Sequence, residues 1–246
     1  MSAFWIDIRK KFASSVGLDL THAQKHYGDI LRKYIPKGAV WLDMGCGRQI
    51  LPEWGASLHE QKDLVNQSSR LIGLDVDSAL HEHPFLHDRV IGLGNNLPFK
   101  AESLDLVSAN MVMEHVDDPP QVFKEVNRVL RPGGRFIFHT PNFKNYLILI
   151  ASLISSGIKN KIVWLLEQRR EEDVFKTFYR SNTTEAVQEL ATKNGLKVVS
   201  LATYGSSGSF ERLGPLGVLE VLLLKLVSPP FFSQCNATII AVLEKA

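Results

Sequence analysis

Cysteine, long apolar runs and clustered charge are what this sequence has least of. Its 246 residues include two cysteines, Cys46 and Cys235, far apart and without metal-ligand spacing. Neither a disulfide framework nor a zinc site is therefore expected, and a reducing compartment is the setting this usage predicts. Neither long apolar stretch reaches the roughly 20 residues of a membrane-spanning helix. Tyr146 to Ile158 is too short, and Leu213 to Val227 is interrupted by Glu220 and Lys225. Met1 to Asp7 lacks a basic segment leading into an apolar core, so no signal peptide is expected and the predicted location is cytoplasmic. Lys and Arg (28) nearly balance Asp and Glu (26), for a formal charge of +2. No Lys/Arg block or aromatic-basic stripe accompanies that charge, so no nucleic-acid partner is expected. Internal repeats and low-complexity tracts are also missing.

What is present is an ordinary globular composition, 45% hydrophobic and 22% charged, enough for one sizeable α/β core. Residues 1–36 read as an amphipathic helical segment that stops at Pro36-Lys37-Gly38. Short apolar runs then alternate with helical spacing: 39–42, 71–74, 89–93, 104–109 and 135–140, with a helix over 120–130. This alternation predicts a mostly parallel sheet with helices on both faces. After Pro141 the rhythm changes. Residues 143–181 read as a helical insertion or lid, and Asn182 with Glu185 as a capping box opening a helix to Lys193. Strands at 196–201 and 237–243 bring the count to about seven, with a Leu-, Gly- and Pro-rich excursion at 205–234 between them. The expectation is a single domain over 1–246, with a cofactor-binding half at 37–142 and a C-terminal half at 182–246.

The strongest chemistry is Val40-Trp41-Leu42-Asp43-Met44-Gly45-Cys46-Gly47. An apolar strand runs straight into a loop with glycines two apart, where a side chain would collide with a ligand lying across the strand ends. Taken alone, such a loop is also a simple tight turn. Arg48 and Gln49 follow, and no third glycine completes the dinucleotide pattern, which counts against NAD. The second strand ends in Gly73-Leu74-Asp75-Val76-Asp77. A carboxylate there suits the two hydroxyls of a ribose, although a turn acid would read the same way. Asp75 lies 32 positions beyond Asp43 rather than about 20, and a longer loop and helix within 51–70 would take up the surplus.

At these residues the chain resembles the class I, S-adenosylmethionine-dependent methyltransferases, particularly the group that includes the ubiquinone/menaquinone C-methylases. The resemblance runs from about Gly38 to Asn142. It comprises Leu42-Asp43-Met44-Gly45-Cys46-Gly47, Gly73-Leu74-Asp75, Leu97-Pro98-Phe99 followed by Ser103 to Val107, Met113-Glu114-His115-Val116, and Leu130-Arg131-Pro132-Gly133-Gly134. It implies a Rossmann-like fold with S-adenosylmethionine as cofactor and helical lids after the fifth and sixth strands. Gly45, Cys46 and Gly47 would face the methionine part, Asp43 would order the loop, and Asp75 with Val76 would meet the ribose side. Asn95 and Asn96 would lie against adenine, and Asn110 would also border the cofactor. The family commonly carries an acid four positions before the leucine of Leu-Pro-Phe. Here that position is Leu93, so the neighbouring amides are the expected substitutes.

Methyl transfer needs a positioned acceptor and sometimes a base. His115 and His139 are the candidate bases, since imidazole titrates near neutrality, and His115 follows the fourth strand while His139 lies at the end of the fifth. No metal-ligand set stands out. Tyr179 and Arg180, just before a helix, are candidate acceptor contacts. The expected reaction is methylation at oxygen or carbon of a small-molecule, glycan-precursor or lipid-like acceptor. A cofactor-binding partner without turnover is the second reading, with an NAD-dependent oxidoreductase behind it. Residues 213–232 are apolar enough for a homodimer contact or a peripheral membrane contact.

Overall fold

The computed structural model describes residues 2–145, 176–205, 214–226, 234 and 236–246. Two helices, α1 (Ser2–Ser15) and α2 (Ala23–Tyr34), precede β1 (Ala39–Met44). The chain continues through α3 (Leu58–Val65), β2 (Ser68–Asp75), a 3-10 turn (Ser78–Glu82), β3 (Asp88–Ile91) and β4 (Leu104–Asn110). A second 3-10 turn (Met113–His115), α4 (Pro119–Val129) and β5 (Leu130–Pro141) follow. The described C-terminal part holds α5 (Thr184–Lys193), β6 (Leu196–Tyr204), α6 (Pro215–Leu226) and β7 (Thr238–Lys245).

The seven strands form one sheet in the order β3-β2-β1-β4-β5-β7-β6, and the pairings β1·β2, β1·β4, β2·β3 and β4·β5 are parallel. From β1 the chain winds outward to β3, then returns to place β4 on the other side of β1. That reversal opens a crevice at the carboxyl ends of β1 and β4, where this architecture binds its ligands. Register brings those ends level: Met44 pairs with both Leu74 and Ala109, and Asn110 pairs with His139.

Alternation along each strand divides the buried residues between the two faces. Leu42, Met44, Val107, Phe136 and Phe138 join Phe123 and Val126 of α4 and Val187 of α5 in one core cluster. Phe123 meets the edges of Phe136 and Phe138 at 5.6 and 6.1 Å. Trp41, Asp43, Ile137 and His139 occupy the alternate positions, and Tyr27 of α2 reaches Ile137 and His139 among them. The Trp41 indole N–H donates to Ser108 Oγ at 2.7 Å.

Helix ends follow their caps. Ser57 and Glu60 form a reciprocal capping box at α3. The expected Asn182/Glu185 box does not form. Thr183 caps α5 instead, accepting from the Ala186 N–H at 3.2 Å. Asn182 is fully buried, and its amide donates to Thr140 Oγ1 and the Pro141 carbonyl. Tertiary acceptors hold the Asn182 side-chain amide one residue before the cap, and Thr183 takes the capping role.

The chain divides into two compact units. One comprises 24–141, 177–202 and 239–246 and contains most of the sheet. The other comprises 1–23, 142–176 and 203–238. In it α6 turns its one acid inward, where Glu220 pairs with Arg9 of α1 at 3.5 Å with both side chains almost fully buried. Leu216, Leu219, Leu222, Leu223 and Leu226 are exposed instead. This is the described part of the predicted apolar excursion. The core of the expected lid, 146–175, lies outside the described residues, as do 206–213 and 227–233. No described helix is long and apolar enough to cross a membrane.

Candidate active site

The glycine loop leaves β1 at Met44 and is anchored at once: the Gly45 and Cys46 N–H groups both donate to the Leu74 carbonyl, at 2.7 and 3.3 Å. Gly45 and Gly47 have φ of +68° and +50°, the left-handed region that L side chains adopt only with strain. Their surroundings differ. A Cβ on Gly45 would lie 2.3 Å from a Val112 methyl, so protein packing already demands glycine there. A Cβ on Gly47 would meet nothing within 4 Å, so the space beside it is open. Cys46 points the other way. Its sulfur packs against Gly73, where a Cβ would stand 2.7 Å from it, and burial, reinforced by the charges of Asp43 and Asp75, raises its thiol pKa. The expected contribution of Cys46 is thus limited to its backbone.

Asp75 borders that open space. One carboxylate oxygen accepts from the Gly47 N–H at 2.8 Å and the other from the Asp77 N–H at 3.0 Å. Each oxygen keeps acceptor capacity for a further donor. Val76, Ile91 and Leu93 are exposed by 50, 57 and 58%. Register makes Ile91 the neighbour of Asp75, so these apolar side chains cluster at the carboxyl ends of β2 and β3. Asn95 and Asn96 are exposed just beyond, and the Asn95 carbonyl accepts from Gln121. Open room at Gly47, an ionic acceptor and an apolar shelf form an acceptor and contact set that suits a nucleoside with a polar tail.

Asp43 lies beneath the loop, 3% exposed, and accepts a 2.5 Å hydrogen bond from Ser108 Oγ. Burial pushes its carboxyl up to about 7. The Ser108 bond opposes that rise and the charge of Asp75 adds to it. The same environment raises the Tyr27 phenol, burial first and the Asp43 charge second.

On the other side of the crevice, Glu114 is buried and accepts from Thr140 Oγ1 at 3.0 Å. Its carbonyl accepts from the N–H groups of Phe178 and Tyr179, which ties 177–180 to the 3-10 turn. His115 is partly exposed, with Nε2 3.9 Å from Glu114 Oε1. Tyr179 and Met111 have φ of +53° and +58°, a left-handed backbone uncommon for bulky residues. Arg180 pairs with Asp117 Oδ1 at 2.8 Å and lies over the Phe178 ring. His139 is 1% exposed beside Tyr27, and its Nδ1 is 3.0 Å from Asn110 Oδ1. Asn110, expected against the cofactor, has its side-chain amide engaged by Gln24, Ile50 and His139. Among the described residues no cluster of His, Cys, Asp or Glu could hold a metal.

Sequence reading missed Gln24, Tyr27, Ser108 and Thr140, and took Asn182 for a cap. Gln24 and Tyr27 share one face of α2 by their i, i+3 spacing, and Ser108 sits at Asp43's register position. Those local signals existed, but their partners are distant in sequence.

The fold and these residues define a Rossmann-like site for a nucleoside-type ligand. Two family models, each described as a methyltransferase domain, match residues 42–138 and 91–201. The malonyl-[acyl-carrier protein] O-methyltransferase of Hahella chejuensis is 34% identical over 129 residues, 49% of this chain and 44% of that protein. The ubiquinone biosynthesis O-methyltransferase of Xanthomonas axonopodis pv. citri is 30% identical over 107 residues, 44% of this chain and 45% of that protein. The chain spans less than half the length of these relatives. A solved S-adenosylmethionine dependent methyltransferase from Mesorhizobium loti shares the fold with a TM-score of 0.56 at 17% identity, covering 88% of this chain and 96% of that one. Geranyl diphosphate methyltransferase in complex with SAM does so with 0.52 at 16%, covering 90 and 85%. The chain belongs to the class I S-adenosylmethionine-dependent methyltransferases, whose cofactor is S-adenosylmethionine.

Proposed function

We propose that this protein transfers a methyl group from S-adenosylmethionine to an oxygen or carbon of a small-molecule, glycan-precursor or lipid-like acceptor. The observation that carries this reading is the open space at Gly47 beside the Asp75 carboxylate, at the switch point of the sheet. When bound, the cofactor supplies an electrophilic methyl group. The chain's own residues do the rest. Gly45 and Gly47 shape the loop at the methionine end, with the Cys46 backbone between them. Asp75 accepts from the ribose hydroxyls. Val76, Ile91 and Leu93 flank the adenine ring, and Asn95 and Asn96 offer polar groups to its edge. Asp43, through Ser108, fixes the strand from which the loop departs.

On the acceptor side, Tyr179 and Arg180 border the pocket, and His115 and His139 are the candidate bases. That the two named relatives act as O-methyltransferases supports oxygen as the receiving atom. Calorimetry with S-adenosylmethionine, S-adenosylhomocysteine and NAD tests the cofactor half. Binding of the first two and not the third is expected, and the reverse preference overturns it. Labelled-methyl transfer to pools of hydroxyl- and carbon-acid compounds tests the acceptor half, and binding without transfer to any pool would leave only a cofactor-binding protein.

A further inference from the structure

The turn that follows β3 borders the cofactor crevice and carries no charge. The Gly92 N–H donates to the Asp75 carbonyl at 2.9 Å, which keeps the chain beside Asp75 as it leaves Ile91. Leu93-Gly94-Asn95-Asn96 then closes on itself, the Asn96 N–H donating to the Leu93 carbonyl at 3.3 Å. A Cβ on Gly94 would lie 2.4 Å from Met44 Sδ, so the turn rests against the end of β1, where the glycine loop begins. Helix α4 anchors it through the backbone. Gln121 Nε2 donates to the Asn95 carbonyl at 3.0 Å, and Glu125 Oε2 accepts from the Leu97 N–H at 2.9 Å. The Arg128 guanidinium donates to the Leu97 and Phe99 carbonyls at 2.9 and 2.8 Å.

The backbone of the turn is thus held while the side chains of Leu93, Asn95 and Asn96 are exposed. With Val76 and Ile91 they make an edge of apolar side chains and neutral amides. The acids on the flanking elements face their own turns of helix. Asp77 Oδ1 accepts from the Ala79 N–H at 2.9 Å, and Asp118 Oδ1 from the Gln121 N–H at 3.2 Å.

Such an edge reads a purine weakly at position 6. Covering Val76, Ile91 and Leu93 removes apolar surface from water, a non-directional gain that does not depend on the substituent there. A side-chain amide presents an oxygen at one end and N–H groups at the other, so it can turn to suit either a donor or an acceptor. A neutral hydrogen bond of this kind contributes about 2–10-fold in affinity, against about 10–100-fold for a bond to a carboxylate.

We propose that the protein holds the nucleobase of its cofactor by the ring face and leaves the 6-amino group unread, so that cofactors altered at that position are accepted, and that Leu93 sets this tolerance. The inference rests on the cofactor reading above, in which the shelf lies against adenine and Asp75 against the ribose. Two kinds of altered cofactor fit: a purine without the amino group, and an adenine alkylated on it, for whose substituent the exposed edge leaves room in solvent. A carboxylate at position 93 would add the directional acceptor that the edge lacks.

Calorimetry with S-adenosylhomocysteine, its 6-deamino counterpart and its N6-benzyl counterpart tests this. Both analogues should bind within about 10-fold of S-adenosylhomocysteine. A greater loss for either overturns the proposal. Leu93→Asp should make the protein prefer S-adenosylhomocysteine to the 6-deamino compound by about 10–100-fold. An unchanged ratio in that variant overturns the role given to Leu93. Ile91→Ser should weaken all three ligands by the same factor, because it acts on the ring, and a loss confined to S-adenosylhomocysteine overturns the proposal. Asn95→Ala and Asn96→Ala carry the test if Leu93→Asp does not fold. Each should cost S-adenosylhomocysteine less than about 10-fold, and a larger loss that spares the 6-deamino compound identifies an amide that does read the amino group. Failure of the wild-type protein to bind any of the three sinks the underlying cofactor reading instead.

Discussion

Replacing Gly47 with alanine separates two demands that glycine meets in this loop. At φ +50° the new methyl group incurs the left-handed penalty, roughly 1–2 kcal/mol for an L residue. It meets no protein atom within 4 Å, so no packing cost is added. For a chain of this length, that corresponds to a Tm lower by roughly 2–8 °C. If the cofactor fills the open space, the methyl group also overpacks the complex by about 1–3 kcal/mol. The dissociation constant then rises roughly 5–150-fold. Gly45→Ala should behave differently, because its Cβ would lie 2.3 Å from a Val112 methyl. There the strain and overpacking both fall on the free protein, about 2–5 kcal/mol in all, and adding Val112→Ala should restore part of it. Thermal melts and calorimetry with S-adenosylhomocysteine on the three variants read both quantities. Gly47→Ala with the expected drop in Tm but wild-type affinity would refute the assignment of that space to the cofactor.

The remaining expectations use the same two assays and steady-state kinetics. Asp75→Ala should weaken cofactor binding by about 1.5–3 kcal/mol through loss of a charged acceptor. Asp75→Asn, which keeps one oxygen for the Gly47 N–H, should melt closer to the wild type, and an unchanged Kd in both would reduce Asp75 to a loop anchor. Asp43 is raised by burial to about 7 from an ordinary carboxyl near 4. The native state therefore binds a proton that the unfolded chain has lost, and stability should fall as pH rises from about 4 to about 7. Asp43→Asn removes that decline, so the variant should gain on the wild type across this window, and parallel Tm–pH curves would contradict it. Arg180→Ala breaks an exposed pair with Asp117 worth under about 1 kcal/mol. Tm should hardly change while acceptor KM rises at constant cofactor affinity, and Tyr179→Ala should share that kinetic effect. Equal losses in both affinities would mark the pair as fold residues.

The sequence by itself determined the sheet, the glycine loop and the acid that follows β2. Each is written in local terms that survive without tertiary context: a period of two along the strands, glycines two apart, a carboxylate directly after an apolar run. The helix over 184–193 was equally legible, but its cap was not, because Asn182 found Thr140 and Pro141 forty residues away. Gly45 and Gly47 look alike in sequence. Only the approach of Val112 shows that one is required by packing and the other borders open space. Asn110 has the residue type and strand-end position of a cofactor contact, and only the fold brings Gln24, Ile50 and His139 around its side-chain amide. The physical reason is the same in each case: residue type and spacing are local, but which donor, acceptor or neighbour a side chain meets is decided by elements far away in the chain.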